Sequence, residues 1–193
     1  PSLLPVLKRV KPQLSIPIVY NCGDYETLEA VDALAPYIDI WLPDLKYYSS
    51  ELSARYSAAP AYFPVASAAV KRMIEHTGPL ILEDFSENGQ ACQLMKRGVI
   101  LRHMVLPKHK DDSIRLLHWI HDNLPEGHFL VSLMSQYTPF YQAADHGIGR
   151  RITTYEYRRV VNYAMDLGLS SGYMQQKSSA KEEYTPSFDL TGV

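Results

Sequence analysis

Short apolar runs alternate along this chain with stretches whose apolar residues recur every three or four positions. Ile16 to Tyr20 (IPIVY) reads as a buried strand running into the turn Asn21, Cys22, Gly23. Asp24 is placed to cap a helix carrying Leu28, Val31 and Leu34 until Pro36 stops it. Ile38 to Leu42 (IDIWL) is the second strand, and Pro43 to Ser50 (PDLKYYSS) a polar connection. A helix from about Val65 to His76 then turns Val70, Met73 and Ile74 inward and stops at Thr77, Gly78 and Pro79. Leu80 to Met95 breaks the rhythm. LILEDF and QACQLM flank Ser86 to Gly89, whose Asn-Gly pair signals a turn, so a small surface hairpin over 80–95 is expected. Val99 to Leu106 (VILRHMVL) is the third core strand, followed by a helix begun at Asp111 and Asp112 with Ile114, Leu117 and Ile120 on one side. Phe129 to Met134 (FLVSLM) is the fourth. Thr153 and Glu156 stand at capping-box spacing before a helix with Val160, Val161, Ala164 and Leu167, stopped by Gly168. Gly172 to Gln175 is a short last strand, and 176–193 an extended tail.

Nearly all-apolar strands between amphipathic helices predict an α/β fold, a mostly parallel sheet covered by helices. Two architectures fit five such strands: a doubly wound open sheet, or one side of a (β/α) barrel, which when complete needs about 250 residues. At 193 residues, 46% hydrophobic and 21% charged, the chain suits a single domain over 1–193. The opening PSLLPVLKRVKPQLSIP reads like the end of a helix already under way, which hints at a piece of a longer protein. A net charge of -2 and a pI near 6.4, with charges dispersed, leave no basic footprint for nucleic acid. No apolar run reaches the roughly 20 residues of a spanning helix and no signal peptide is evident, so neither a membrane nor secretion is expected, and the reading is cytoplasmic. Cys22 and Cys92 stand far apart as two free thiols.

Ligands of parallel α/β folds bind at the carboxyl ends of the strands. Asp44 and Lys46 follow the second strand with the same parity and share one face if the chain stays extended. Taken alone, an Asp-x-Lys triplet is more often a loop ion pair. Arg102 lies inside an apolar strand and needs an anion, either Asp44 or a ligand carboxylate. His103, of opposite parity, reads as a hydrogen-bonded packing residue under a helix. Asn21, Ser135, Gln136 and Tyr137 follow strands and can offer hydrogen bonds, though ordinary loop polarity explains them almost as well. His118 and His121 lie three apart on a helix without a third ligand, so they read as surface histidines and no metal site is expected. Ser178 and Lys181 match a hydrolase pattern by chance, and no glycine-rich phosphate loop occurs.

Read in order, YNCG, PDLKYY, VILRHMVLPKHKDD, LMSQYTP, RRITTYEYRRVV and GYMQQKSSAKEEYTPSFD resemble the pyruvate formate-lyase activating enzyme-like branch of the radical S-adenosylmethionine (SAM) enzymes. The similarity spans essentially the whole chain, with RHMVLP and DLK its most specific parts. The resemblance implies a partial or complete (β/α) barrel of TIM type. In that family a four-iron four-sulfur cluster, held by a C-x-x-x-C-x-x-C loop, reductively cleaves SAM to a 5′-deoxyadenosyl radical. That radical abstracts hydrogen from a substrate, which in activating enzymes is a glycine of a partner glycyl-radical protein. It further implies that Asp44 and Lys46 lie near the SAM ribose and carboxylate and that Arg102 helps hold the methionyl end. Asn21 would line the site, and Gln136 and Tyr137 the edge near the adenine.

The cysteine triplet and the glycine-rich segment of the family do not occur in this chain. The expectation is therefore the C-terminal portion of a radical SAM barrel, an oxidoreductase or lyase when intact. Alone it would hold no catalytic residue and bind neither SAM nor the cluster stably. Its partners would be the N-terminal part of the same enzyme and a glycyl-radical protein, with homodimerisation through an exposed sheet edge as a further outcome. The competing reading is a self-contained, non-redox α/β module that binds a small anion or a partner protein through Arg102 and Lys46. A hydrolase or aldolase on an open sheet lacks an identifiable nucleophile and base.

Overall fold

The computed structural model describes residues 3–23, 25–87, 90–169 and 173–174. The Asp24 cap, the Asn88–Gly89 turn, Gly172, Gln175 and the 176–193 tail with Ser178 and Lys181 lie outside them. Helix α1 (Leu3–Val10) leads through a short 3-10 turn to β1 (Val19–Cys22), then α2 (Leu28–Leu34), β2 (Ile40–Pro43), α3 (Ser50–Ser57) and α4 (Tyr62–Thr77). β3 (Ile81–Glu87), β4 (Gln90–Met104), α5 (Lys110–Asn123), β5 (Phe129–Met134), α6 (Thr154–Asp166) and β6 (Tyr173–Met174) follow.

The strands pair in the order β1-β2-β4-β5-β6, every neighbour parallel, while β3 pairs antiparallel with the first part of β4. The order never reverses, which distinguishes this sheet from a doubly wound one, where the order turns back at a switch point. A one-way progression of this kind is compatible with an arc of a (β/α) barrel.

Burial supports the same conclusion. Trp41, Val99, Leu101, Val131 and Leu133 are buried with Val31, Leu34, Val70, Met73, Leu116, Leu117, Ile120, Val160 and Ala164 from α2, α4, α5 and α6 in one cluster. Their strand neighbours of opposite parity, Asn21, Leu42, Asp44, Ile100, Arg102 and Leu130, stay partly exposed. Successive strand residues point to opposite faces, so the helices cover one face, and among the described residues no helix covers the other.

Several elements start or stop differently from the sequence reading. The first strand begins at Val19, because Pro17 cannot donate to a ladder and Ile16 is 66% exposed. The N-cap of α2 is Thr27, whose Oγ1 accepts the Ala30 N–H. Helix α3, absent from the sequence reading, is capped by Ser49 and ends on Ala58 in the left-handed region. The hairpin and the third core strand are one element. β4 runs unbroken from the hairpin into the sheet, with Arg97 paired antiparallel to Ile81 and Gly98 parallel to Ile40. The capping box of α6 forms in full: Thr153 Oγ1 accepts the Glu156 N–H, and Glu156 Oε2 accepts the Thr153 N–H.

Candidate functional site

The carboxyl ends of β1, β2 and β4 bring three of the sequence candidates together. Asp44 continues β2 by one bridge and stands opposite Arg102 in parallel register. Arg102 Nη2 lies 2.5 Å from Asp44 Oδ1 and 2.5 Å from Asn21 Oδ1. Both ionised side chains keep about a quarter of their surface exposed, 24% for Arg102 and 23% for Asp44. Arg102 Nε is buried and has no hydrogen-bond partner among the described residues. A guanidinium presents five N–H donors in a rigid fork, and the contacts to Asn21 and Asp44 both fall on Nη2.

The extended course of the Asp-Leu-Lys segment is held by a residue the sequence reading passed over. Tyr62, at the start of α4, accepts the Lys46 N–H at 3.0 Å and donates its hydroxyl to the Asp44 carbonyl. Leu45 between them is fully buried, and its N–H donates to the Arg102 carbonyl at 2.8 Å. Asp44 and Lys46 therefore share the open face. Lys46 Nζ approaches Gly23, 3.8 Å from where a Cβ there would lie, and the lysine lines a 420 Å³ cleft with Tyr25, Tyr62 and the Ala58–Ala61 turn.

His103 is buried under α5. Its Nδ1–H donates to the Leu45 carbonyl at 2.7 Å and its Nε2 accepts from Ser113 Oγ at 2.8 Å. Burial pushes its pKa below the ordinary imidazole value, outweighing the Leu45 carbonyl and the more distant Asp112 and Asp44. It is a neutral packing residue that anchors the backbone next to Asp44.

Gln136 and Tyr137 do not join this group. Among the described residues Gln136 Nε2 donates to Met134 Sδ at 3.5 Å, and Tyr137 is buried with its hydroxyl donated to the Ile148 carbonyl at 3.0 Å. Ser135 is also buried, its hydroxyl without a partner among the described residues. The register instead places Ser132 directly beside Arg102 on the open face. Its signal was a lone polar residue, of even parity, in the apolar run FLVSLM. His118 and His121 are exposed on α5. Among the described residues no three His, Cys, Asp or Glu side chains are grouped to hold a metal ion, and no helix is long and apolar enough to cross a membrane. A second cavity, of 440 Å³, opens at the amino ends of the strands between Leu80, Phe129, Leu130 and Leu167, on the far side from these charges.

With this geometry in hand, similarity to known proteins narrows the fold. No family model matches the chain. An uncharacterized protein of Methanocaldococcus jannaschii is 30% identical over 176 residues, covering 90% of this chain and 45% of that protein. The chain thus spans about half the length of the curated relative it matches. Among solved structures, a domain of pyruvate-formate lyase-activating enzyme from Bacteroides vulgatus matches with a TM-score of 0.62 and 15% identity, covering 91% of this chain and 90% of that one. At that identity the likeness shows the fold: an α/β domain with a mostly parallel sheet covered by helices, similar to the activating-enzyme domain.

Proposed function

We propose that this chain is the ligand-orienting, C-terminal part of a radical SAM enzyme of the pyruvate formate-lyase activating type. The observation that carries the reading is Arg102, bridged to Asn21 and Asp44 on the open face, with Nε still unpartnered. That arrangement suits a small zwitterion. Arg102 and Lys46 offer donors to a carboxylate, and Asp44 and Asn21 offer oxygens to an ammonium or a hydroxyl. SAM carries all of these groups, and radical chemistry is what it supplies when bound. The fold shared with an activating-enzyme domain supports the same assignment.

The iron-sulfur cluster does not fit the described residues. Cys22 is buried at the end of β1, Cys92 lies on the β3–β4 hairpin, and cluster ligation requires several thiolates together. No step is assigned to the cluster in this chain. What these residues do is bind and orient: the Tyr62 clamp fixes Asp44 and Lys46, and the sheet register fixes Arg102 against them. In a longer protein, as the partial coverage of the archaeal relative suggests, a separate segment would supply the metal, and a glycyl-radical protein is the substrate class that fits.

Equilibrium binding of SAM to the full-length protein tests this. Arg102→Ala and Lys46→Ala should each weaken binding about tenfold, the value of a lost hydrogen bond to a charged group. Unchanged affinity in both variants removes the assignment. Equal affinity for SAM and for simple carboxylates such as succinate would favour the non-redox anion-binding module instead.

A further inference from the structure

A second concentration of charge lies apart from Asp44 and Arg102, where the loops after β4 and β5 meet α3. Arg55 Nη2 and Lys108 Nζ both close on Gly147, 3.7 and 3.9 Å from the point a Cβ there would occupy. Neither cation has a carboxylate partner among the described residues, whereas Arg72, Arg102 and Arg150 all do. Two of the carboxylates near these cations are engaged elsewhere: Glu156 by Arg150 and Thr153, Asp112 by the N–H groups of Tyr48 and Ser49.

The convergence is built into the fold. Lys108 sits in the left-handed region at φ 69°, with its N–H donated to Glu156. Arg55 lies over the Tyr56 ring, 5.6 Å from its centre. Tyr56 ties the three segments together, since its hydroxyl is 2.7 Å from His109 Nε2 and 3.4 Å from the His146 carbonyl. Burial is the main cause holding His109 below its usual pKa, and Arg55 and Lys108 act in the same direction against Asp112 and Glu156. The imidazole beside the two cations is therefore neutral near pH 7. Gly147, at φ 82°, puts no side chain between them, and among the described residues a Cβ there would meet only these two cations within 4 Å.

We propose that Arg55 and Lys108, across the gap over Gly147, form a phosphate subsite that takes the dianionic group of a phosphate monoester. Two exposed positive charges without a carboxylate partner among the described residues match a group carrying close to two negative charges at neutral pH, whereas a carboxylate would neutralise only one. The subsite is independent of the SAM reading, because it shares no residue with that site.

Titration of methyl phosphate, with acetate in parallel, into the isotopically labelled protein tests the proposal by NMR. The expected result is saturable perturbation of the Gly147 and Lys108 amides by methyl phosphate, with acetate at least about tenfold weaker. The double variant Arg55→Gln/Lys108→Gln should lose this response while its remaining spectrum shows the native fold, and Lys96→Gln on the hairpin should retain it. Three results would overturn the proposal: no perturbation at Gly147, the same affinity in the double variant, or equal responses to acetate and methyl phosphate.

Discussion

Glu156 accepts the backbone N–H of Lys108 at 2.7 Å, joining the first turn of α6 to the loop after β4 across 48 residues of sequence. The same carboxylate receives two N–H groups of Arg150 at 2.7 and 2.8 Å, and the N–H and hydroxyl of Thr153 at 2.9 and 2.7 Å. A helix cap has become the knot that holds two site-bearing loops. Arg150, then the Thr153 and Lys108 donors, hold the Glu156 pKa far below the usual carboxylate range despite the opposing effect of burial.

Glu156→Ala should therefore cost about 3 kcal/mol, from a lost cap and lost charge-assisted bonds, and lower Tm by roughly 6–12 °C for a domain of this size. A depressed folded-state pKa stabilises above the unfolded value, near 4.3 for Glu, and that stability is lost as pH falls toward the folded value. Urea midpoints of parent and variant should then be far apart at pH 7 and draw together below about pH 4. A gap that stays constant across that range would mean the carboxylate's charge is not what holds the loops.

Which parts of this were legible beforehand follows from the range of the interactions. The Thr153–Glu156 box, the FLVSLM strand and the Gly78 and Gly168 stops depend on neighbours a few residues away, and each appears where the pattern puts it. The Asp44–Arg102 pairing was readable because parity plus the cost of an unpaired guanidinium left few alternatives. Helix α3 was not, since SELSARYS packs only Leu52 and Tyr56 partly inward and shows no continuous apolar stripe. The Tyr62 clamp and the Tyr137 bond to Ile148 are set by tertiary contacts over 16–18 and 11 residues, which no local pattern reports. The hairpin over 80–95 and the strand from Val99 read as separate elements, but β4 continues through Lys96, Arg97 and Gly98 between them.

Asp44→Ala should destabilise by about 2 kcal/mol. It strips Arg102 of its counter-charge, and partial exposure softens the larger penalty of a fully buried orphan. The double change Asp44→Ala/Arg102→Met removes the charge requirement and should recover more than half of that loss, as replaced ion pairs do. A double-mutant cycle from urea unfolding measures it. If the double variant is as unstable as the sum of the singles, Asp44 and Arg102 are not coupled, and the pairing adds nothing to the fold beyond the two side chains taken separately.

Gly98 adopts φ 144°, and a Cβ there would overlap Leu80 Cδ2. Gly98→Ala thus combines a backbone penalty with displacement of a half-buried leucine at the joint between hairpin and sheet, for a loss of about 1–3 kcal/mol. Gly127 also has positive φ, 75°, but a Cβ there meets nothing within 4 Å. Gly127→Ala should cost only about 1 kcal/mol. The difference in Tm between the two variants isolates the steric part, and hydrogen exchange at the Gly98 amide, bonded to the Asp39 carbonyl at 3.0 Å, should quicken in the first variant only. Equal effects would show that the joint tolerates a side chain.

His103 gives the fold a dependence on pH opposite to that of a salt-bridged histidine. Its folded-state pKa is lowered by burial, so the unfolded chain takes up a proton near the ordinary imidazole value of 6.5 while the native ring, donating to Leu45 and accepting from Ser113, remains neutral. The unfolded state binds more protons there, and stability must decline as pH falls below about 6.5. His109, half-buried with a pKa shifted the same way, adds a smaller contribution. His103→Gln keeps a donor and an acceptor but cannot titrate, so its stability should be lower at pH 7.5 yet flatter between pH 6.5 and 5 than that of the parent. Denaturation midpoints at half-unit steps of pH measure both slopes. Parallel profiles would place the proton uptake on another group and show that His103 is already charged in the native core.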